Sequence, residues 1–238
     1  MLVDTNRRSD APELMDNFLL EGDILSNALD KIASINRLLG GNKVTLQGVK
    51  CLLKSKPVYR SELRILDVGC GNGDMLRTLA RYAKKKRIKL KLTGIDANYF
   101  TIKHAEQLSK KHPNISYVCA DIFEEIKQER LYDVILCTLT LHHFKDDEII
   151  TLMKGLEEQS TLGIVVNDLH RNALAYYLFV SICFVFRLNH MSKNDGLVSI
   201  LRGFKRQELH DLSEQLRFND YILKWKWAFR YQWIIRTI

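Results

Sequence analysis

Five short runs with little polar alternation, separated by helical stretches, fill the middle of this 238-residue chain and fix its class. The runs are Arg64 to Gly69, Leu90 to Asp96, Ser116 to Asp121, Tyr132 to Leu139 and Leu162 to Asn167. Helices are predicted over Asp74 to Lys86, about Tyr99 to Lys111 and about Asp146 to Glu158. Strands buried on both faces lack the period-two pattern of a half-wetted sheet, and the helices between them supply crossovers. The pattern therefore predicts a mostly parallel α/β sheet with helices on both faces. Ahead of it, Leu25, Leu29, Ile32, Ile35, Leu38 and Leu39 recur at helical spacing up to Gly40-Gly41. A second amphipathic stretch runs from about Val44 to Leu53 and ends before Pro57. After the fifth run come a long apolar segment over 168–200, a helix from about Lys205 to Leu216, and two β-rich runs, Tyr221 to Trp227 and Phe229 to Thr237. These last two predict an antiparallel pair. The expected organisation is an N-terminal helical extension over 1–60 and one α/β domain over 61–238.

Composition narrows the classes. With 46% hydrophobic residues and only 12 Gly and 3 Pro, the chain can bury a core and is neither disordered nor collagen-like. The net charge of +8 favours an anionic partner without naming one. Five Cys without paired spacing read as reduced thiols, and the N-terminus is polar and acidic, so a cytoplasmic protein is expected. The longest apolar run, Ala173 to Phe186, is too short to span a bilayer comfortably.

Chemistry concentrates at the strand ends. Asp67-Val-Gly69-Cys70-Gly71-Asn-Gly73 closes the first run, and glycines there let the backbone turn sharply and approach a ligand. The spacing is neither the dinucleotide fingerprint, which needs a small residue where Asp74 stands, nor a P-loop. A plain tight turn is the alternative. Asp96 ends the second run and can accept both hydroxyls of a ribose, or cap the next helix. Asp121 ends the third, where a carboxylate could accept from an exocyclic amine while Ile122 packs on its ring. All three fall on the edge where open α/β sheets bind ligands.

On these residues, with the segment Tyr132 to Phe144, the chain resembles the class I S-adenosylmethionine-dependent methyltransferases from about Leu63 onward. The resemblance implies a Rossmann-like seven-stranded sheet, its last strand antiparallel, and S-adenosylmethionine as cofactor. It implies that Asp67, Gly69, Cys70, Gly71 and Gly73 meet the methionine part, Asp96 with Ala97 the ribose, and Asp121 with Ile122 the adenine. Cys137 and Thr138 would line the floor beside the sulfonium. The Asn/Asp-Pro-Pro-aromatic motif of nucleobase-amine methylation is absent; the place reads Thr138-Leu-Thr-Leu-His142-His143-Phe144. That signature looks like the small-molecule branch, which includes quinone-biosynthesis and polyketide-tailoring enzymes. Asn36-Arg-Leu-Leu-Gly-Gly41 and Asn167-Asp168-Leu-His170-Arg171 resemble tailoring enzymes too. The family often inserts a substrate lid where residues 169–199 stand, and Asn194-Asp-Gly196 reads as the turn closing it.

The expected reaction is methyl transfer to a small aromatic acceptor, with O-methylation preferred over C-methylation. A phenol attacks well only as phenolate, so a base working near neutrality is needed, and histidine suits. His142, His143 and His170 are the candidates. On an extended chain only one of the adjacent pair would face the substrate. Asn167, Arg171 and Tyr176 are candidates for orienting the acceptor, while Asp168 can equally cap a helix. Adjacent histidines lack the i, i+4 spacing of helical ligands and no acidic cluster is expected beside them, so no metal is expected. The basic run Arg81 to Lys91 belongs on the edge away from the cofactor motifs, so no nucleic-acid partner is expected. The aromatic segment leaves room for a peripheral membrane contact, and the basic run for a lipid or carrier-protein contact. The rival readings are a methyltransferase acting on RNA or protein and an inactive binding subunit that keeps the fold.

Overall fold

The computed structural model describes residues 3–54, 62–128 and 130–237. Its strands are β1 (Leu63–Val68), β2 (Leu90–Asp96), β3 (Ile115–Cys119), β4 (Tyr132–Thr138), β5 (Ser160–Leu169), β6 (Tyr221–Lys226) and β7 (Arg230–Arg236). They form one seven-stranded sheet in the order β3-β2-β1-β4-β5-β7-β6. The first five strands pair in parallel, whereas β7 runs antiparallel to both β5 and β6. This is the Rossmann-like sheet expected from the sequence. The reversed strand arises because β6 and β7 are a hairpin whose turn holds Ala228 and Phe229 at φ 63° and 54°.

Successive residues of the inner strands serve opposite cores, which is why their sequences show no alternation. Leu66, Val68, Ile135, Ile164 and Trp233 face one side, under α6 (Asp146–Glu158) and α9 (Arg206–Gln215). Ile65, Val134, Leu136, Val165 and Ile234 face the other, under α2 (Gly41–Leu53), α3 (Asp74–Lys86) and α4 (Tyr99–Ser109). The remaining helices are α1 (Asp23–Leu38), α5 (Ile122–Glu125), α7 (Ala173–Val185) and α8 (His190–Arg202). The second helix begins at Gly41 rather than Val44, because Gly40 takes the left-handed φ of 80° that starts it. Gly48 lets it sit against the sheet, since a Cβ there would meet Val165 at 2.5 Å.

One expected turn is corrected. Asn194 to Gly196 lies inside α8, which Asn189 caps by accepting from the Ser192 N–H. Gly196 is there for packing: a Cβ would stand 2.3 Å from the Phe179 ring, so only glycine brings α7 and α8 together. Pro57 and the expected domain boundary after residue 60 lie outside the described residues.

Candidate active site

The C-terminal ends of β1, β2, β3 and β4 open into a cavity of about 590 Å³. Its floor is the glycine loop. Gly69 and Gly71 have φ of 64° and 51°. A Cβ on Gly69 would press within 2.5 Å of Thr140, whereas one on Gly71 would meet only Leu29, at 3.9 Å. The loop is held from behind: the Cys70 N–H donates to the Ile95 carbonyl at 3.0 Å, and Thr140 Oγ1 donates to the Val68 carbonyl at 3.0 Å. Asp96 accepts from the Gly71 N–H at 3.1 Å and from the Asn98 N–H at 3.0 Å. Asn98, not Asp96, caps α4. Asp121 does act as a cap, accepting from the Phe123 N–H at 2.8 Å, while its exposed carboxylate also stands on the cavity wall.

Asp67, Gly69, Cys70, Gly71, Asp96, Ala97, Asp121, Ile122 and Thr138 all line this cavity. Gly73 and Cys137 do not. Gly73 starts α3 with φ 76°, and a Cβ would collide with the Tyr117 hydroxyl at 2.0 Å, so its glycine serves packing. Cys137 is fully buried in the core beneath β4.

Electrostatically the floor is unsatisfied. Asp67 is buried, and its Oδ1 has no hydrogen-bond partner. Burial, with Asp96 nearby, pushes its carboxyl up to about 8. Burial also raises Asp96, against the hydrogen bonds from Asn98 and Gly71. Two carboxyls on one wall make an acceptor-rich surface suited to hydroxyls, and a cation beside them would favour their ionised forms against burial.

The roof comes from the N-terminal residues. Met15, Asp16, Phe18, Leu25, Leu29 and Ile32 cover the loop. They are clamped onto the sheet by a chain of amides: Asn36 donates to Asn42 at 2.8 Å, and Asn42 to Asp74 at 2.7 Å, with Arg37 on the same carboxylate at 2.7 Å. The Asn98 amide donates to the Phe18 and Leu20 carbonyls and ties the roof to α4. None of residues 169–199 lines the cavity. The expected lid is a buttress instead: Asp195 on α8 accepts the Leu14 and Met15 N–H groups at 2.7 and 2.9 Å and so fixes the true roof.

The two adjacent histidines sit on a 3-10 turn (Leu141–His143), not on extended chain, and their rings lie tilted by 32° with centroids 4.3 Å apart. Their environments still separate them. His142 is buried; its Nδ1–H donates to Asp168 at 2.6 Å, and it does not line the cavity. His143 lines the cavity, and its Nδ1–H donates to Asp16 at 2.7 Å. With Nδ1 carrying the proton, Nε2 is the ring's acceptor. Burial raises Asp16, but the hydrogen bonds from His143 and Arg202 outweigh it and hold the carboxyl below its usual range.

Sequence reading placed no acid beside these rings; the fold places three. Besides Asp16 and Asp168, Glu13 is buried with Oε1 3.6 Å from His142 Nε2 and 3.8 Å from an Arg202 nitrogen. Glu13, His142 and His143 could present ligand atoms within 4.8 Å of one another. The group is flanked by an Arg202 nitrogen beside Glu13 and by the Asp16 carboxylate on His143 Nδ1. No sequence signal could have joined Glu13 and Asp16 to turns some 130 residues away.

Burial, partly offset by His143 and Ser199, raises Glu13 to about 7. The folded chain thus keeps a proton that the unfolded chain releases near 4.5. The neutral carboxyl's stabilising effect is present below that pH and drains as pH rises through about 7, by about 3 kcal/mol. Glu13→Gln should therefore lose less thermal stability than wild type between about pH 5 and 8. Equal losses in the two proteins would mean that Glu13 does not titrate there.

Four further candidates lie away from the cavity. Asn167 is buried and seats α2 on the sheet, its amide donating to the Gly41 carbonyl at 3.0 Å and to Thr45 Oγ1 at 2.9 Å. Arg171 is fully buried, pairs with Glu208 and donates to the Thr5 and Gly203 carbonyls. Tyr176 packs edge-on to Tyr177. His170 accepts from Trp225 Nε1 at 3.3 Å and sits between Phe229 and Tyr231. Asn172 caps α7, which leaves Asp168 to hold His142. Asn167, Arg171 and His170 are spent on joining elements, Tyr176 lies against its neighbour, and none of the four lines the cavity where their roles were expected.

Residues 65–160 match a family described as a methyltransferase domain. The chain is 30% identical over 123 residues to the ubiquinone biosynthesis O-methyltransferase of Rickettsia akari (strain Hartford), which covers 50% of this chain and 45% of that relative. It is 31% identical over 131 residues to that of Coxiella burnetii (strain Dugway 5J108-111), covering 52% and 51%. The chain thus spans about half the length of the curated relatives it matches. Among solved structures it resembles the plantazolicin methyltransferase BpumL in complex with SAH, with TM-score 0.67 and 20% identity over 90% of this chain and 89% of that one. It also resembles the DszA carbon methyltransferase, with TM-score 0.62 and 14% identity over 82% and 53%. At these identities the structural likeness shows a shared fold.

Proposed function

We propose that the chain transfers a methyl group from S-adenosylmethionine to an oxygen of a small aromatic acceptor, a phenol or quinone-like molecule. The observation that carries this reading is one cavity in which the glycine loop, Asp96 and Asp121 share a roof with the His143–Asp16 pair.

The floor fits the cofactor. The unpartnered Asp67 Oδ1 suits its ammonium, Asp96 its ribose hydroxyls, and Asp121 with Ile122 its adenine, while the open space above Gly71 leaves room for the methionine part. When bound, S-adenosylmethionine supplies an electrophilic methyl carbon on a sulfonium. The chain's own work is on the acceptor. Asp16 fixes the His143 tautomer and orientation, so that Nε2 can take the hydroxyl proton. Phe123 and Phe144, 5.5 Å apart edge to face, add an aromatic wall, and Met15 and Phe18 line the cavity from the roof.

The +8 charge does not favour an RNA or protein acceptor. Its densest run, Arg81 to Lys91, lies at the end of α3 and the start of β2, across the sheet from the cavity. All five cysteines are free, which suits the reducing cytoplasm.

Calorimetric titration with S-adenosylhomocysteine and S-adenosylmethionine, with NAD as control, followed by methyl-transfer assays on phenols and quinols, tests the reading. Micromolar binding of the first two and an O-methyl product are expected. A C-methyl product would move the acceptor atom, and no binding would leave a fold without this activity. Because Asp67 is held protonated up to about 8, placing an ammonium beside it should release a proton near pH 7. Apparent binding enthalpy should then vary with the ionisation enthalpy of the buffer; an enthalpy independent of buffer would remove Asp67 from the ammonium site.

A further inference from the structure

Helix α7, ALAYYLFVSICFV, is apolar around its whole circumference, a composition that normally belongs to a buried helix. Here only Ala175 and Cys183 are buried. Leu174 (58% exposed), Tyr177, Leu178, Val180, Phe184 (87%) and Val185 (71%) stand in solvent. A contiguous surface of this kind marks a docking site. Its setting selects the occupant. From Leu169 to Asn194 there is no Asp or Glu, while exposed Arg187, His190 and Lys193 follow the apolar face directly. Lys31 of α1 reaches the same end, donating to the Arg187 carbonyl at 3.2 Å.

We propose that α7 is an interfacial anchor that docks the protein on an anionic lipid surface, its apolar residues entering the acyl boundary and Arg187, Lys193 and Lys31 meeting the headgroups. Thirteen residues rise about 20 Å, too little to cross a bilayer, and none of the described helices is long and apolar enough to do so. The helix therefore lies in the plane of the interface. Apolar insertion and cationic attraction are each weak anchors and together suffice for reversible binding. The geometry is prepared for it, because α7 is pinned to α8 at Gly196 and touched by the N-terminal segment, where the Val3 N–H donates to the Tyr177 hydroxyl. The surface adjoins the α8 buttress of the cavity roof, which would present the site to a lipid-soluble acceptor. The anchor itself does not depend on the methyl-transfer reading.

The test is co-sedimentation of the full chain with vesicles of phosphatidylcholine alone or with a quarter phosphatidylglycerol. Binding several-fold stronger to the anionic vesicles is expected, falling at high salt. Phe184→Glu with Val185→Glu should reduce it at least tenfold while S-adenosylhomocysteine titration and melting stay as in wild type. Should that pair fail to fold, Phe184→Trp, a mild change at an exposed site, reports directly. Its emission should shift to the blue with anionic vesicles and be quenched by brominated acyl chains. Absence of binding to either vesicle, retention in the Glu variant, or unquenched emission from the Phe184→Trp variant would overturn the proposal. So would light scattering showing a dimer that the Glu variant splits, since a second copy would then cover the face. Loss of cofactor binding would count against the proposed function and leave the anchor standing.

Discussion

Asp96→Ala is expected to weaken S-adenosylhomocysteine binding by at least roughly a hundredfold, since hydrogen bonds to a charged group contribute about 1.5–3 kcal/mol each and a ribose offers two hydroxyls. The substitution acts twice. It removes the acceptors, and it releases the Gly71 N–H, which Asp96 now holds at 3.1 Å, so the glycine loop loses its brace. Asp96→Asn keeps an acceptor of similar shape and should recover part of the loss. Calorimetric titration reads both, with melting curves to show that the chain still folds. Wild-type affinity in the Ala variant would take Asp96 out of the cofactor site and with it the strongest link between sequence and function.

His143→Ala should lower kcat by about 10²- to 10⁴-fold, the range contributed by a positioned general base, and leave cofactor affinity nearly unchanged. Asp16→Asn should lower kcat less, because the amide can still sit beside Nδ1 but no longer fixes the protonated tautomer. His142→Ala separates the neighbours. It leaves the buried Asp168 with only backbone N–H partners, from residue 142 and Leu169, and removing one partner of a buried pair costs up to about 3–5 kcal/mol, so its main effect should be a lower melting temperature. If His142→Ala slows turnover in a stable protein while His143→Ala does not, the assignment of the base is reversed.

The cofactor side of the site was legible because its signals are local. Glycine is favoured where φ is positive, as at Gly69 and Gly71, and an acid at a strand end reaches the ligand edge whatever the rest of the chain does. The acceptor side was not. Asn167, Arg171, His170 and Tyr176 carry plausible chemistry at plausible places, yet hydrogen bonds and an ion pair commit three of them to joining elements, and Tyr176 lies against its neighbour. Conversely, Glu13 and Asp16 lie in a segment with no motif, and they matter only because Asp195, Arg202 and Asn98 fold that segment over the cavity. The Leu169 to Ser199 insertion shows the same limit. Its apolar composition was plain, but whether it covered the site or faced outward depended on which surface α8 had already claimed.

The sequence by itself determined the sheet, its covered faces, the reversed last strand and the row of loop and carboxylates along one edge. Each follows from periodicity or backbone stereochemistry acting over a few residues. Only the tertiary structure decided which histidine meets the cavity, which acids orient it and which helix is left bare. These depend on contacts between separate elements, 26 positions apart for His142 and Asp168 and 127 for His143 and Asp16, and no local pattern constrains how such surfaces meet.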